Sequence, residues 1–247
     1  SIHSIDQTKN IKKINSKIVL KDISFQYQDT LDRSLKNISL EIKRGEKVGF
    51  VGKSGSGKST LFKIILGLLN TSQGKIIIDD VEVNNNDRII WKNLSYIPQD
   101  IYILDDSIKN NIAFGTTDQD LNKEYLNKVI KCCELEEFIK SSPDGINTIV
   151  GDRGIRISGG QKQRLSICRA LYSKPEILFM DEATSNIDNE TEEKIIKNLK
   201  NFSEEITIIA IAHKLSTLKY FDKIFIIEEG KIKDSGDFNK LKELPGY

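Results

Sequence analysis

Gly52-Lys53-Ser54-Gly55-Ser56-Gly57-Lys58-Ser59-Thr60 follows the pattern G-x-x-x-x-G-K-[ST], a run whose chemistry is the gripping of phosphates. Its glycines let the backbone turn N–H groups inward around a β-phosphate, and a helix starting here adds the partial positive charge of its N-terminus. Lys58 is placed to reach the β- and γ-phosphates, and Ser59 to ligate Mg²⁺. A second element, Ile177–Glu182, is an apolar run ending in two acids. Asp181 there would hold Mg²⁺ through water, and Glu182 would polarise an attacking water as general base. Solvated acids after a strand are commonplace, so these two roles draw their weight from the phosphate loop. The loop itself is specific for nucleoside triphosphates but does not choose among kinases, GTPases and ATPases.

Both elements need strands and helices to present them. Lys47–Val51 is a short apolar run ending at glycine, the pattern of a buried central strand that feeds a phosphate loop. From Lys58 to Leu69 the apolar residues Leu61, Ile64, Ile65 and Leu68 recur at helical spacing. Ile18–Tyr27, Leu35–Ile42 and Gly74–Asp79 read as strands, the last taken as a pair with Leu94–Ile97. Between Ser107 and Lys140 the period turns helical. A helix from Ser158 to Tyr172, strand Glu176–Met180, helix Glu190–Asn201 and strands Ile206–Ala212, Lys223–Ile227 and Lys231–Asp234 follow. Strands alternating with helices predict an α/β fold with a mainly parallel core sheet, an antiparallel β subdomain and an α-helical subdomain over about residues 100–170. The phosphate loop resembles that of the P-loop NTPases, which implies that the core is RecA-like. Residues 1–17 read as a polar tail or linker, and residues 18–247 as the catalytic domain.

Ile157-Ser158-Gly159-Gly160-Gln161, with Gln161-Lys162-Gln163-Arg164 and Arg169-Ala170-Leu171 after it, resembles the signature motif of the ABC ATPases. As residues alone, Ser158 and two glycines at a helix start form either a good N-cap or a second anion site without a lysine. Two anion sites in one chain suggest two chains meeting head to tail, each closing the other's ATP. The resemblance extends in family order. It implies that Tyr27 stacks on adenine and that Gln99 contacts Mg²⁺ and water. It also implies that Ser185–Asp188 forms the D-loop and that His213 contacts the γ-phosphate. Asn186-Ile187 departs from the more common Ala-Leu. Ser158, Gly159, Gly160 and Gln161 would cap the nucleotide of the partner chain, and Lys58, Gln99, Glu182 and His213 would carry catalysis.

Thr148–Gly154 and Leu104–Gly115 resemble exporter versions of the family, with Asp152 where Glu is usual. The resemblance implies a fragment of a half-transporter, with membrane helices upstream of Ser1–Lys17 and a final helix beyond Pro245-Gly246-Tyr247. The implied partners are a second copy of the domain and a transmembrane domain, at the cytoplasmic face of the cell (inner) membrane.

Bulk properties narrow the alternatives. Lys+Arg (37) nearly cancel Asp+Glu (36), so no overall field points to nucleic acid. This argues against a repair or translation ATPase, as does a single cassette without a long coiled-coil insertion. A module that binds ATP without cleaving it would be favoured by loss of Glu182 or His213, and both are present. Cys132, Cys133 and Cys168 match neither a zinc site nor a disulfide framework and read as buried, inert thiols. No apolar run is long enough to cross a bilayer, and the polar first residues carry no signal-peptide pattern.

Overall fold

The computed structural model describes residues 14–28, 34–83, 93–152 and 154–244. In chain order the strands are β1 (Lys17–Phe25), β2 (Leu35–Lys43), β3 (Lys47–Val51), β4 (Gln73–Ile78), β5 (Val81–Val83), β6 (Leu94–Ile97), β7 (Asp106–Ser107), β8 (Ile149–Val150), β9 (Ile177–Asp181), β10 (Thr207–Ala212), β11 (Lys223–Glu228) and β12 (Lys231–Gly236). The helices are α1 (Lys58–Ile65), α2 (Ile108–Ile112), α3 (Lys123–Cys132), α4 (Glu136–Ser141), α5 (Gly159–Tyr172), α6 (Asn189–Phe202) and α7 (Phe238–Leu241).

Six strands form the central sheet in the order β12-β11-β3-β10-β9-β6. All its pairings are parallel except the terminal hairpin β11–β12. β3 and β10 are buried at every residue, the pattern of strands covered on both faces. Alternation then divides the side chains between two cores. Phe179, Ile209, Ile211, Phe225 and Ile227 pack on one face with α1 and with β1 and β2. Leu178, Met180, Ile208, Ala210, Ile224 and Ile226 pack on the other with α5, α6 and the helical block. The first face is closed by a second, antiparallel sheet in the order β2-β1-β4-β5.

Two sequence expectations are corrected here, and one contact goes beyond them. Gly74–Asp79 and Leu94–Ile97 do not pair: β4 joins the antiparallel sheet and β6 the parallel one. The first helix stops at Ile65 rather than Leu69. Gly67 turns left-handed, its N–H bonds the Ile64 carbonyl, and the Leu68 N–H returns to Lys63. Leu68 is therefore off the apolar face and 68% exposed. Finally, the two segments read separately as exporter-like are joined, because β7 and β8 pair antiparallel and Ile108 N–H bonds the Thr148 carbonyl at 3.0 Å. Arg153 and residues 1–13 and 245–247, to which the linker and end readings refer, lie outside the described residues.

Candidate active site

β3 runs directly into the phosphate loop, and α1 leaves it at Lys58. Gly52 sits at φ 156° with its Cα packed on the Ile227 carbonyl, where any Cβ would collide. The Lys58 ammonium is already fixed, donating to the carbonyls of Gly52 (2.7 Å) and Lys53 (2.9 Å). Burial pulls its pKa below the usual lysine range, against the opposing pull of Glu182 and Asp181. Ser56 Oγ is buried with no hydrogen-bond partner, the one such side-chain atom among the described residues. A buried hydroxyl lacking a partner beside an immobilised cation is a fit for phosphate oxygens.

The acidic strand end lies across from this loop. Phe62 of α1 meets Phe179 of β9 edge-on at 4.9 Å, which sets the helix carrying Lys58 against the strand carrying Asp181. Asp181 accepts from Tyr96 Oη at 3.4 Å. Its carboxyl pKa is raised by burial and then by Glu182 beside it, with Tyr96, Lys63 and Lys58 opposing. Glu182 holds a left-handed backbone, φ 52°. Its Oε2 accepts from Gln99 Nε2 (2.9 Å) and pairs with His213 Nε2 (2.8 Å), so three predicted residues converge on one carboxylate. The ring tautomer that makes this bond carries its proton on Nε2.

Tyr27 follows β1 beside the loop. Its hydroxyl lies 3.3 Å from Thr60 Oγ1 and its ring meets Phe25 edge-on. Ser59 on α1 and Gln99 just after β6 are exposed, and with Asp181 at the end of β9 they offer oxygen ligands, the class Mg²⁺ takes. Among the described residues no group of three or more His, Cys, Asp or Glu could hold a metal by itself. A magnesium ion held by Ser59, Gln99 and Asp181 would take its remaining ligands from phosphate oxygens and water.

Ser158–Gln161 is the exception to this convergence. Ser158 and Gln161 bond each other reciprocally, as the capping box of α5 (2.8 and 3.2 Å). No hydrogen bond of these four residues reaches Gly52–Thr60 among the described residues; the two glycines lie instead against Asn186. Asp188, placed in the D-loop, caps α6 through the Thr191 N–H at 3.0 Å.

Two contributors had no role assigned to them from the sequence, although Gln163 stands in the run after the signature. Tyr96 touches Asp181, and its signal was a tyrosine on β6 three residues before Gln99. Gln163 binds the segment after Glu182. Its signal was a polar residue at the head of the i, i+3, i+4, i+7 stripe Gln163, Ser166, Ile167, Ala170. The three cysteines are free and buried, and no helix among the described residues is long and apolar enough to cross a membrane.

Comparison with known proteins identifies the family and the fold. The family model described as "ABC transporter" matches residues 35–185. The chain is 38% identical over 240 residues to an ATP-dependent lipid A-core flippase of Francisella tularensis, covering 97% of the chain and 39% of that protein. A flippase of the same name from Pasteurella multocida is 36% identical over 237 residues, covering 95% of the chain and 40% of the relative. The solved structure of a bacterial Atm1-family ABC exporter with ATP bound superposes with a TM-score of 0.81 at 30% identity, over 96% of the chain and 41% of that structure. The chain thus spans about two fifths of the length of these relatives. Fold, phosphate loop and acidic strand end coincide with this match, and the chain belongs to the ABC transporter family, as an ATP-binding, ATP-hydrolysing domain.

Proposed function

We propose that this domain powers export or flipping of a substrate by dimerising head to tail around two ATP molecules, attached to a transmembrane domain at the cytoplasmic face of the membrane. The observation that carries the reading is the separation of two anion-binding ends. Lys58 and Glu182 lie at one; at the other, Ser158–Gln161 carries no charged side chain and makes no hydrogen bond to Gly52–Thr60 among the described residues. The names and membrane roles of the flippase and exporter relatives support the transport half of the proposal.

In this mechanism Gly52–Thr60 wraps the phosphates and Tyr27 leaves Thr60 to stack on adenine. Lys58 exchanges its two loop carbonyls for β- and γ-phosphate oxygens. Mg²⁺, held by Ser59, Gln99 and, through water, Asp181, would neutralise charge on those oxygens. Glu182 accepts a proton from the attacking water once its Oε2 is released by Gln99 and His213. His213 then turns its N–H to the γ-phosphoryl oxygens, and Ser158 with Gly160 of the second chain completes the cage. The exposed segments joined by the β7–β8 pairing, which carry Tyr102, Phe114 and Ile149, form the face offered to the transmembrane domain.

Glu182→Gln tests the dimer. With ATP and Mg²⁺ it should accumulate as a nucleotide-bound dimer, measured by light scattering. A variant that stays monomeric at saturating ATP would refute the head-to-tail reading.

A further inference from the structure

Gln163 heads the buried stripe of α5 and is 1% exposed. An amide so buried must find its partners inside the protein. All those its side chain has lie in the short segment after the catalytic strand. Nε2 donates to Ser185 Oγ at 3.0 Å and lies 3.5 Å from the Glu182 carbonyl, while Oε1 accepts the Asn186 N–H at 2.8 Å. On the N-terminal side of the same helix, a Cβ on Gly160 would stand 3.0 Å from the Asn186 carbonyl, so the helix start and this segment touch backbone to backbone. Glu182 is in the left-handed region, a conformation that a residue with a side chain keeps only when its surroundings hold it. Ser185 and Asn186 are exposed between the buried Ala183 and Ile187, so it is hydrogen bonds to Gln163 rather than their own apolar packing that hold these two residues.

We infer that Gln163 is a positioning residue that locks Glu182 and Ser158–Gly160 of one chain into a single unit, so that the base of one ATP site and the cap of the other move together. This rests on the head-to-tail reading, in which those two groups serve different nucleotides. The segment Glu182–Asn186 lies against Gly159 and Gly160 through Asn186, and Gln163 grips it at both of its outer residues. With the amide in place, tilting α5 to present Ser158 drags the Glu182 backbone with it. Without it, each site would have to order its own base and cap independently.

The test uses the natural full-length protein as mixed dimers of two differently tagged copies. The second copy carries Lys58→Ala, so one ATP site remains, built from the first copy's loop and Glu182 and the second copy's Ser158. Gln163→Leu is then placed in either copy. The expected result is a loss of turnover of roughly five- to tenfold in both placements, with KM for ATP changed by less than about twofold. Ser185→Ala, at an exposed position, should give a smaller loss in both placements and add nothing to Gln163→Leu. It also serves if Gln163→Leu fails to fold by thermal melting. Loss confined to the copy supplying Glu182 would reduce Gln163 to a local prop and overturn the inference, as would a loss in neither placement or a change in KM alone. A parallel dimer with Ser158→Arg in the second copy separates the two readings. Full turnover there removes the shared site itself, whereas an effect of Gln163→Leu in one placement alone removes only the linkage.

Discussion

The two ends of this chain proposed to meet phosphate are built in opposite ways. At the phosphate loop a lysine is buried, pre-placed by two carbonyls and faced by two acids, and a serine hydroxyl is buried without a partner. At the start of α5 the run Ser158–Gln161 itself contains no cation, the nearest in sequence being Arg156 and Lys162, and the serine is already occupied by its own capping box with Gln161. The first end has unmet polar capacity and charge, so it can bind a polyanion unaided. The second has backbone N–H groups and a helix N-terminus, worth well under the charge-assisted bonds of a lysine. It can finish a site but not found one. On the proposed head-to-tail reading, this asymmetry makes ATPase activity depend on dimerisation and leaves ATP binding independent of it.

The sharpest way to break that comparison is at Glu182. Glu182→Gln should lower phosphate release by about a hundred- to ten-thousandfold while ATP still binds, and near-normal release would remove the base from the mechanism. Next comes Ser158→Arg. In mixed dimers it should cripple the partner's site by roughly a hundredfold, a donor lost at the developing charge, yet leave nucleotide affinity of the single chain unchanged. Weakened binding by the lone chain would mean that the two ends are not separable. Lys58→Ala should weaken ATP affinity by roughly ten- to a hundredfold, the scale of a charge-assisted hydrogen bond. A fluorescent-nucleotide titration reads this directly.

The smallest effect lies away from both ends, as a control. Asp79 ties the start of β1 to the antiparallel sheet, accepting from the backbone of Asn15 (2.7 Å), Ser16 (2.7 Å) and Lys17 (3.1 Å). Burial pushes its pKa up, but these N–H groups outweigh it and hold the carboxyl below its ordinary value. A depressed carboxyl stabilises the fold above the unfolded-state value of 3.8 and loses that contribution as pH falls through the folded one. Asp79→Asn should cost about 1 kcal/mol near neutrality and nothing in strong acid, with ATP affinity untouched. Urea melts at two pH values test the sign.

Much of this was legible in the residues because chemistry and periodicity agreed. Lys47–Val51 is the observed central strand to the residue, since an apolar run stopped by Gly52 admits little else. The capping box of Ser158 and Gln161 likewise starts α5 within one residue of expectation. What escaped was determined by distant partners. β7 and β8 are two residues each and have no periodicity to read; they exist because Asp106–Ser107 meets Ile149–Val150 across more than forty residues. The missed helix end at Gly67 turned on the choice between a tolerated mid-helix glycine and a left-handed stop, and Leu68 made the helical reading look continuous. In the site, the types and order of Lys58, Gln99, Glu182 and His213 were readable, but not that Gln99 and His213 share one Glu182 oxygen. Nor could the sequence say that Gln163 faces inward to hold the segment between them.

The central position of β3 has a consequence for how the molecule is made. Its hydrogen-bonding neighbours are β10 and β11, both synthesised after residue 206. While the ribosome adds the intervening residues, on the order of ten seconds of translation, the nascent chain carries the phosphate loop on a strand with neither neighbour. That strand is apolar and unpaired on both edges for the whole interval, the state most exposed to wrong pairing. Nucleotide affinity should therefore emerge late and abruptly in a series of lengthening chains, at the point where Thr207–Glu228 clears the exit tunnel.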